Sequence, residues 1–298
     1  MKYQSALKWL VPAIFVLALF AAGMGLFYQT PGQPYPLTSF RGEQVTINGH
    51  GLYFWDTVSS AAQMQGNDLV TLLVGLPLLA AAAWLAFRGS LRGQLLLTGT
   101  LAFFLYTYMS MCMLTAYNGL FLVYVTLFGL GLYAFALSLM AINVAALPGH
   151  FSPKLPRGWI AVVLFLVGGF LALAWLGRVA NDLISPPATL ENATSRVIQA
   201  MDLVLIAPLA VLGGVLLLRR APWGYLLTAV SLLKGLTMTL AVSTMAINMA
   251  LAGVPDSLGI MVPFLVLTVL TVAAAVVLLR NVDRRETALA GAMTPQLH

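Results

Sequence analysis

Lys234 lies near the middle of an apolar run, residues 223–250, that is long enough to cross a lipid bilayer. A charged side chain at such depth is costly unless the fold uses it. On a helical wheel centred on Lys234, Ser231, Thr237, Ala241, Thr244 and Asn248 fall within an arc of about 140°. A cation set in a stripe of hydroxyls and an amide can hold an anion or relay a proton. On another apolar run, residues 94–117, Tyr106, Ser110, Met113 and Tyr117 share a face in the same way. Counted at a helical rise from the cytoplasmic edge, Lys234 is about 17 Å deep and Tyr106 about 20 Å. The two polar faces can therefore meet at one level. The expected path is lined by Lys234, Tyr106, Ser110, Tyr117, Thr237, Thr244 and Asn248.

Two carboxylates, Asp68 and Asp202, open apolar runs that descend from the outside, and they form the expected outer gate. The structural alternative is a helix cap, since a carboxylate there satisfies free backbone N–H groups and complements the helix dipole. Asp202 stands about 9 Å above Lys234. Their Cβ atoms lean apart along their helices, which weakens a direct ion pair.

Other chemistries find little support. The run Met109-Ser110-Met111-Cys112-Met113 has soft ligands for copper(I), but methionine is an ordinary packing residue in apolar spans, and on a helix Met111 points away from its neighbours. His50, His150 and His298 are isolated in two loops and a tail, so no haem or metal site is expected within the spans. Walker spacing, a dinucleotide fingerprint, a metalloprotease helix and a serine nucleophile elbow are all missing. No catalytic residue and no cofactor is assigned. The single cysteine, Cys112, rules out an intrachain disulfide.

The elements that must position these residues follow from hydropathy. A 298-residue chain that is 60% hydrophobic, 8% charged and of mean hydropathy +0.93 has more apolar surface than a soluble core can bury. The expected fold is an all-α polytopic membrane protein with spans near 8–27, 69–87, 94–117, 120–146, 159–178, 200–218, 223–250 and 259–279. With both termini in the cytoplasm, Lys2, Lys8, Arg88, Arg92, Lys154, Arg157, Arg219, Arg220, Arg280, Arg284 and Arg285 fall inside, and only Arg41, Arg178 and Arg196 outside. That alternation obeys the positive-inside rule at every loop and indicates a multi-pass plasma-membrane protein. The net charge of +6 then describes a rim facing anionic lipid, with no nucleic-acid partner implied.

The halves read as a parallel four-plus-four repeat, 1–150 and 151–298, the second ending in a short cytoplasmic tail. Asp68-Leu69-Val70, Pro77-Leu78, Arg88, Gly93 and Asn118 recur in order as Asp202-Leu203-Val204, Pro208-Leu209, Arg219, Gly224 and Asn248. Residues 28–67 form an outer lid. Within it, Gln44-Val45-Thr46-Ile47 and Leu52-Tyr53-Phe54-Trp55 flank Asn48-Gly49-His50-Gly51 as a predicted hairpin, and Asp56 is placed to cap a short helix from Thr57 to Met64.

The runs Gly51-Leu52-Tyr53-Phe54-Trp55-Asp56-Thr57-Val58, Gly66-Asn67-Asp68-Leu69-Val70 and Arg88-Gly89-Ser90-Leu91-Arg92-Gly93 resemble a group of prokaryotic multi-span membrane proteins of uncharacterised activity. The resemblance covers the first half of the chain. It implies the same topology and supplies no catalytic residues.

The expected function is a small-solute or ion permease whose path runs between spans three and seven. Two alternatives stay open: an accessory or sensor subunit that binds a membrane protein partner, and a membrane enzyme acting on a lipid or quinone.

Overall fold

The structure is a computed structural model describing residues 1–184, 190–255 and 257–282. Asp256, Arg284, Arg285, His298 and the expected tail lie outside those residues. Among the described residues, eight helical spans are long and apolar enough to cross a membrane. The first is α1 (Gln4–Phe27). The second is composite: α2 (Val58–Val70), a π turn (Thr71–Gly75) and α3 (Leu76–Phe87). Then come α4 (Leu91–Leu114) and α5 (Phe121–Ala141), a one-turn α6 (Leu147–His150) and α7 (Arg157–Ile184). The sixth span is again composite, with α8 (Val197–Met201), a π turn (Asp202–Ile206) and α9 (Ala207–Leu218). The last two are α10 (Pro222–Leu251) and α11 (Ser257–Arg280).

Both π turns end two residues before a proline, and the proline explains them. Pro77 and Pro208 have no N–H and would crowd a carbonyl in the preceding turn. The chain widens by one residue instead, so Leu76 donates to the Thr71 carbonyl and Ala207 to the Asp202 carbonyl, five residues back.

Downstream of these turns one register shift relates the halves. From 71 to 202 is 131 residues, and the same shift carries Pro77 to Pro208, the helix end Arg88 to Arg219, and the start of α4 to the start of α10. The turns between these helices match bond for bond. Gly89 donates to the Ala86 carbonyl and Ser90 to that of Leu85, while Arg220 donates to Leu217 and Ala221 to Leu216. Each is a Schellman ending with its C′ residue at positive φ: Gly89 at 86°, Arg220 at 54°. A Cβ on Gly93 would collide with the backbone of Leu85 and Ala86, and one on Gly224 with the backbone of Leu216 and Leu217. The same shift gives the aspartates a different alignment from the order of landmarks in the sequence. Asp202 corresponds to Thr71, and Asp68 to Gln199, because the two aspartates stand at different distances from their π turns.

The spans pack around α4 and α10, whose apolar windows are each 67% buried, against 28% in α5 and α11. These two central helices touch along their length, α2 lies against α10, and α8 lies against α4. In the outer ring α1 packs on α3 and α5 as α7 packs on α9 and α11.

One end of the bundle carries residues 28–57 and is called the lid end. Two strands, β1 (Tyr35–Thr38) and β2 (Gln44–Ile47), pair antiparallel there. The predicted hairpin is thus displaced upstream: β2 is as expected, but its partner is β1, and Leu52–Trp55 forms turns. The Asn48 side chain donates to the His50 and Tyr53 carbonyls, which curls that segment inward and removes acceptors from any ladder. The segment before the helix ends at Thr57, within the expected 28–67. Thr57, rather than Asp56, caps α2 by accepting from the Ser60 N–H, and the helix runs on through Asn67 and Asp68 because both are turned inward.

The lid holds the loop before α8. Arg41 donates to the Ala193 and Thr194 carbonyls, Glu43 accepts from the Leu190 and Glu191 N–H groups, and Thr57 donates to Glu191. The opposite end is basic and tied by other bonds: Gln4 to the Phe87 carbonyl, Arg157 to the Tyr225 hydroxyl, and Arg92 to the Val282 carbonyl.

Candidate functional site

A cavity of about 200 Å³ opens between α2, α4, α7, the sixth span and α10, with Lys234 at its floor. Lys234 is buried, its side chain 5% exposed. Its Nζ stands 3.8 Å from the centre of the Tyr106 ring. A desolvated cation over an aromatic face is worth about 2 kcal/mol. The Tyr106 hydroxyl points onward and donates to Asp202 Oδ1 at 2.6 Å, and the Trp175 indole N–H donates to Oδ2 at 2.8 Å. Lys234 and Asp202 are therefore joined through Tyr106 and make no direct ion pair, in line with the divergent Cβ directions. The π turn positions Asp202: as its first residue, Asp202 is rotated into the bundle while its carbonyl is retained by Ala207.

Four of the nine expected path and gate residues line this cavity: Lys234, Tyr106, Ser110 and Asp202. The other five do not. Thr237 is fully buried and its hydroxyl returns to the Lys234 carbonyl. Thr244 bonds back to Leu240. Asn248 ties α10 to α2 through the Ala62 carbonyl at 2.7 Å. Tyr117 is 79% exposed, its ring tilted against that of Phe121. Asp68 is sealed into the first half, where it accepts from the Tyr53 hydroxyl at 2.6 Å and where a Cβ on Gly25 of α1 would strike its carboxylate.

Several lining groups escape the hydropathy reading. Gln63 and Asn67 belong to α2, which the span count begins only at residue 69, and with Ser60 they make a helical polar stripe that a wheel of residues 58–70 exposes. Trp175 is a lone indole in an apolar span and carries no polar signal. Met64, Met111, Met238, Met245 and Met249 form much of the wall. Met111 faces inward and Met113 is exposed, so the run around Cys112 does not converge on one point.

Two smaller features extend the cavity along the bundle. Toward the lid end, a vestibule of about 220 Å³ shares Gln63, Met64, Leu114, Trp175 and Ile198 with it and is bordered by Arg178, Arg196 and Glu191. Arg196 is paired with Asp182 through two bonds of 2.7 Å, whereas Arg178 has no partner among the described residues. Toward the basic end, a void of about 20 Å³ is bordered by Lys234, Ser231 and Thr271. That is room for one water, and the Ser231 hydroxyl beside it is buried without a partner. Lys234 thus separates a wide approach from a narrow remainder.

A different polar cluster lies under the lid. Asp56 is buried, accepts from the Ser60 hydroxyl and the Ala116 N–H at 3.1 Å each, and leaves Oδ2 unpartnered. Burial raises its carboxyl to about 6, against the opposing pull of those two donors. Burial first, and then the Asp68 charge, hold the Tyr53 phenol well above its ordinary value.

No protein-family model, curated protein or solved structure matches this chain.

Proposed function

We propose that the protein is a small-solute permease of the plasma membrane, with both termini cytoplasmic and the lid end outside. The observation that carries this reading is the approach formed by the vestibule and cavity, which leads from the lid end to a buried, networked lysine with only a water-sized void beyond it. A charge kept at that depth marks a path or relay far more often than a packing contact. The basic groups at the opposite end suit a cytoplasmic face.

The matching π turns, Schellman endings and close-packed glycines support a duplication of 1–150 and 151–298, both copies running in one direction. In such a fold the route lies between the copies, here between α4 and α10. Alternating access would close the vestibule and widen the void below Lys234.

Reconstituted liposomes should show uptake of a subset of small organic solutes from a charged and neutral panel, and Lys234→Ala should reduce it to background. Uptake unchanged in a Lys234→Ala variant of equal reconstitution would sink the assignment of the path.

A second reading, an accessory subunit, is favoured by the exposed rings of Phe40 and Trp55 on the lid. Copurification of one stoichiometric partner, lost on Phe40→Ser with Trp55→Ser, is its signature.

A further inference from the structure

The cavity contains two kinds of polar group, those already satisfied and those left open. Asp202 is satisfied, with a strong donor on each oxygen. Lys234 is not: its ammonium meets the Tyr106 ring, and no oxygen among the described residues accepts its protons. Asn67 is likewise 97% buried, faces the cavity, and makes no side-chain hydrogen bond among the described residues. Buried polar groups are normally paired, and an unpaired one facing a cavity indicates what the cavity receives.

We propose that the ligand is a small organic monoanion with an apolar body, of the size and character of an aromatic carboxylate, held at its charged end by Lys234, with Asn67 as a polar contact farther along the cavity toward the lid end. The proposal rests on the permease reading for passage, and on the cavity alone for binding. An ammonium lacking acceptors calls for an acceptor, and a carboxylate supplies two charged oxygens to it. A cationic ligand would be repelled by the lysine, and Asp202 is already occupied. A dianion would bring a second charge that the cavity has no second cation to match.

The walls select the rest of the molecule. Met64, Met111, Met238, Met245 and Met249 offer flexible, polarisable contact, and sulfur packs well on aromatic rings. Arg178 at the mouth supplies a positive potential on the approach. It is one of three basic residues on the side where the orientation rule disfavours them, and of these Arg196 is committed to Asp182 and Arg41 to backbone carbonyls.

The test is tryptophan fluorescence of the full-length protein in nanodiscs, with Trp175 at the cavity wall as reporter, titrated separately with benzoate, benzylammonium, phenylalanine and benzyl alcohol. Benzoate should bind at least tenfold more tightly than the other three. Lys234→Met, which keeps the apolar stem, should lose at least tenfold, Lys234→Arg should recover part of it, and Asn67→Leu, farther from the ammonium, should lose less than Lys234→Met. Equal or tighter binding of benzylammonium, phenylalanine or benzyl alcohol overturns the proposal, as does binding of none of the four. Benzoate binding without counterflow in liposomes removes the permease reading and leaves the site intact, whereas flux of a cation alone keeps the permease and removes the anion.

Discussion

The two composite spans use one backbone device and reach opposite ends. In the first half the π turn leads to Gly75, whose missing side chain admits the Phe103 ring, with an added Cβ only 3.0 Å from that ring. In the second half the same shift of 131 residues puts Ile206 in the place of Gly75 and Lys234 in that of Phe103, and between them the cavity stays open. The carboxylates diverge in the same sense. Asp68 is closed in by α1 and Tyr53, while Asp202 faces the void with donors borrowed from α4 and α7. Two spans with the same backbone device can thus be packed shut in one place and left open in the other.

The largest effect expected from this contrast comes from making the second half like the first. Lys234→Phe should fill the floor of the cavity and abolish solute uptake while the protein remains monodisperse; retained uptake would mean that the cavity is not the route. Next come the two helix contacts that the halves share. Gly93→Ala and Gly224→Ala each drive a methyl into neighbouring backbone and should each cost about 3 kcal/mol, lowering thermal stability in detergent by similar amounts. Tolerance at one site and collapse at the other would break the equivalence.

The aspartates should behave in crossed fashion. Asp68→Ala leaves the buried Tyr53 hydroxyl unpaired, which should cost about 2 kcal/mol of stability with uptake altered only through the amount of folded protein. Asp202→Ala leaves its donors facing a cavity that water can enter, so stability should change less and uptake should fall more than tenfold. Equal loss of both properties in both variants would erase the distinction between brace and site.

The smallest effect concerns pH. Because Asp56 binds its proton more tightly in the folded state, with a carboxyl at about 6 against an ordinary 3.8, the folded lid takes up protons as pH falls from neutrality and is stabilised by doing so. Going from pH 7 to pH 5 should slow exchange of the Ala116 amide by about tenfold after correction for intrinsic rates, about 1.4 kcal/mol. Asp56→Asn should remove that dependence.

Hydropathy was enough to determine the eight spans and to make Lys234 stand out within one of them. These are properties of short segments, since a span needs only some twenty apolar residues and a lysine among them stands out wherever the rest of the chain lies. Which polar groups meet was decided by tertiary structure. Thr237, Thr244 and Asn248 share the stripe of Lys234, yet each satisfies its hydrogen bonds within its helix or against α2. Trp175, silent in the sequence, and Asn67, on a polar stripe just ahead of the expected span, join the cavity wall because α7 and α2 are brought against α10 and the sixth span. The separation of Asp68 from Asp202 has the same origin: three residues of displacement relative to a π turn are nearly a full helical turn, and whether that turn faces a void or a neighbouring helix depends on packing between spans far apart in the chain.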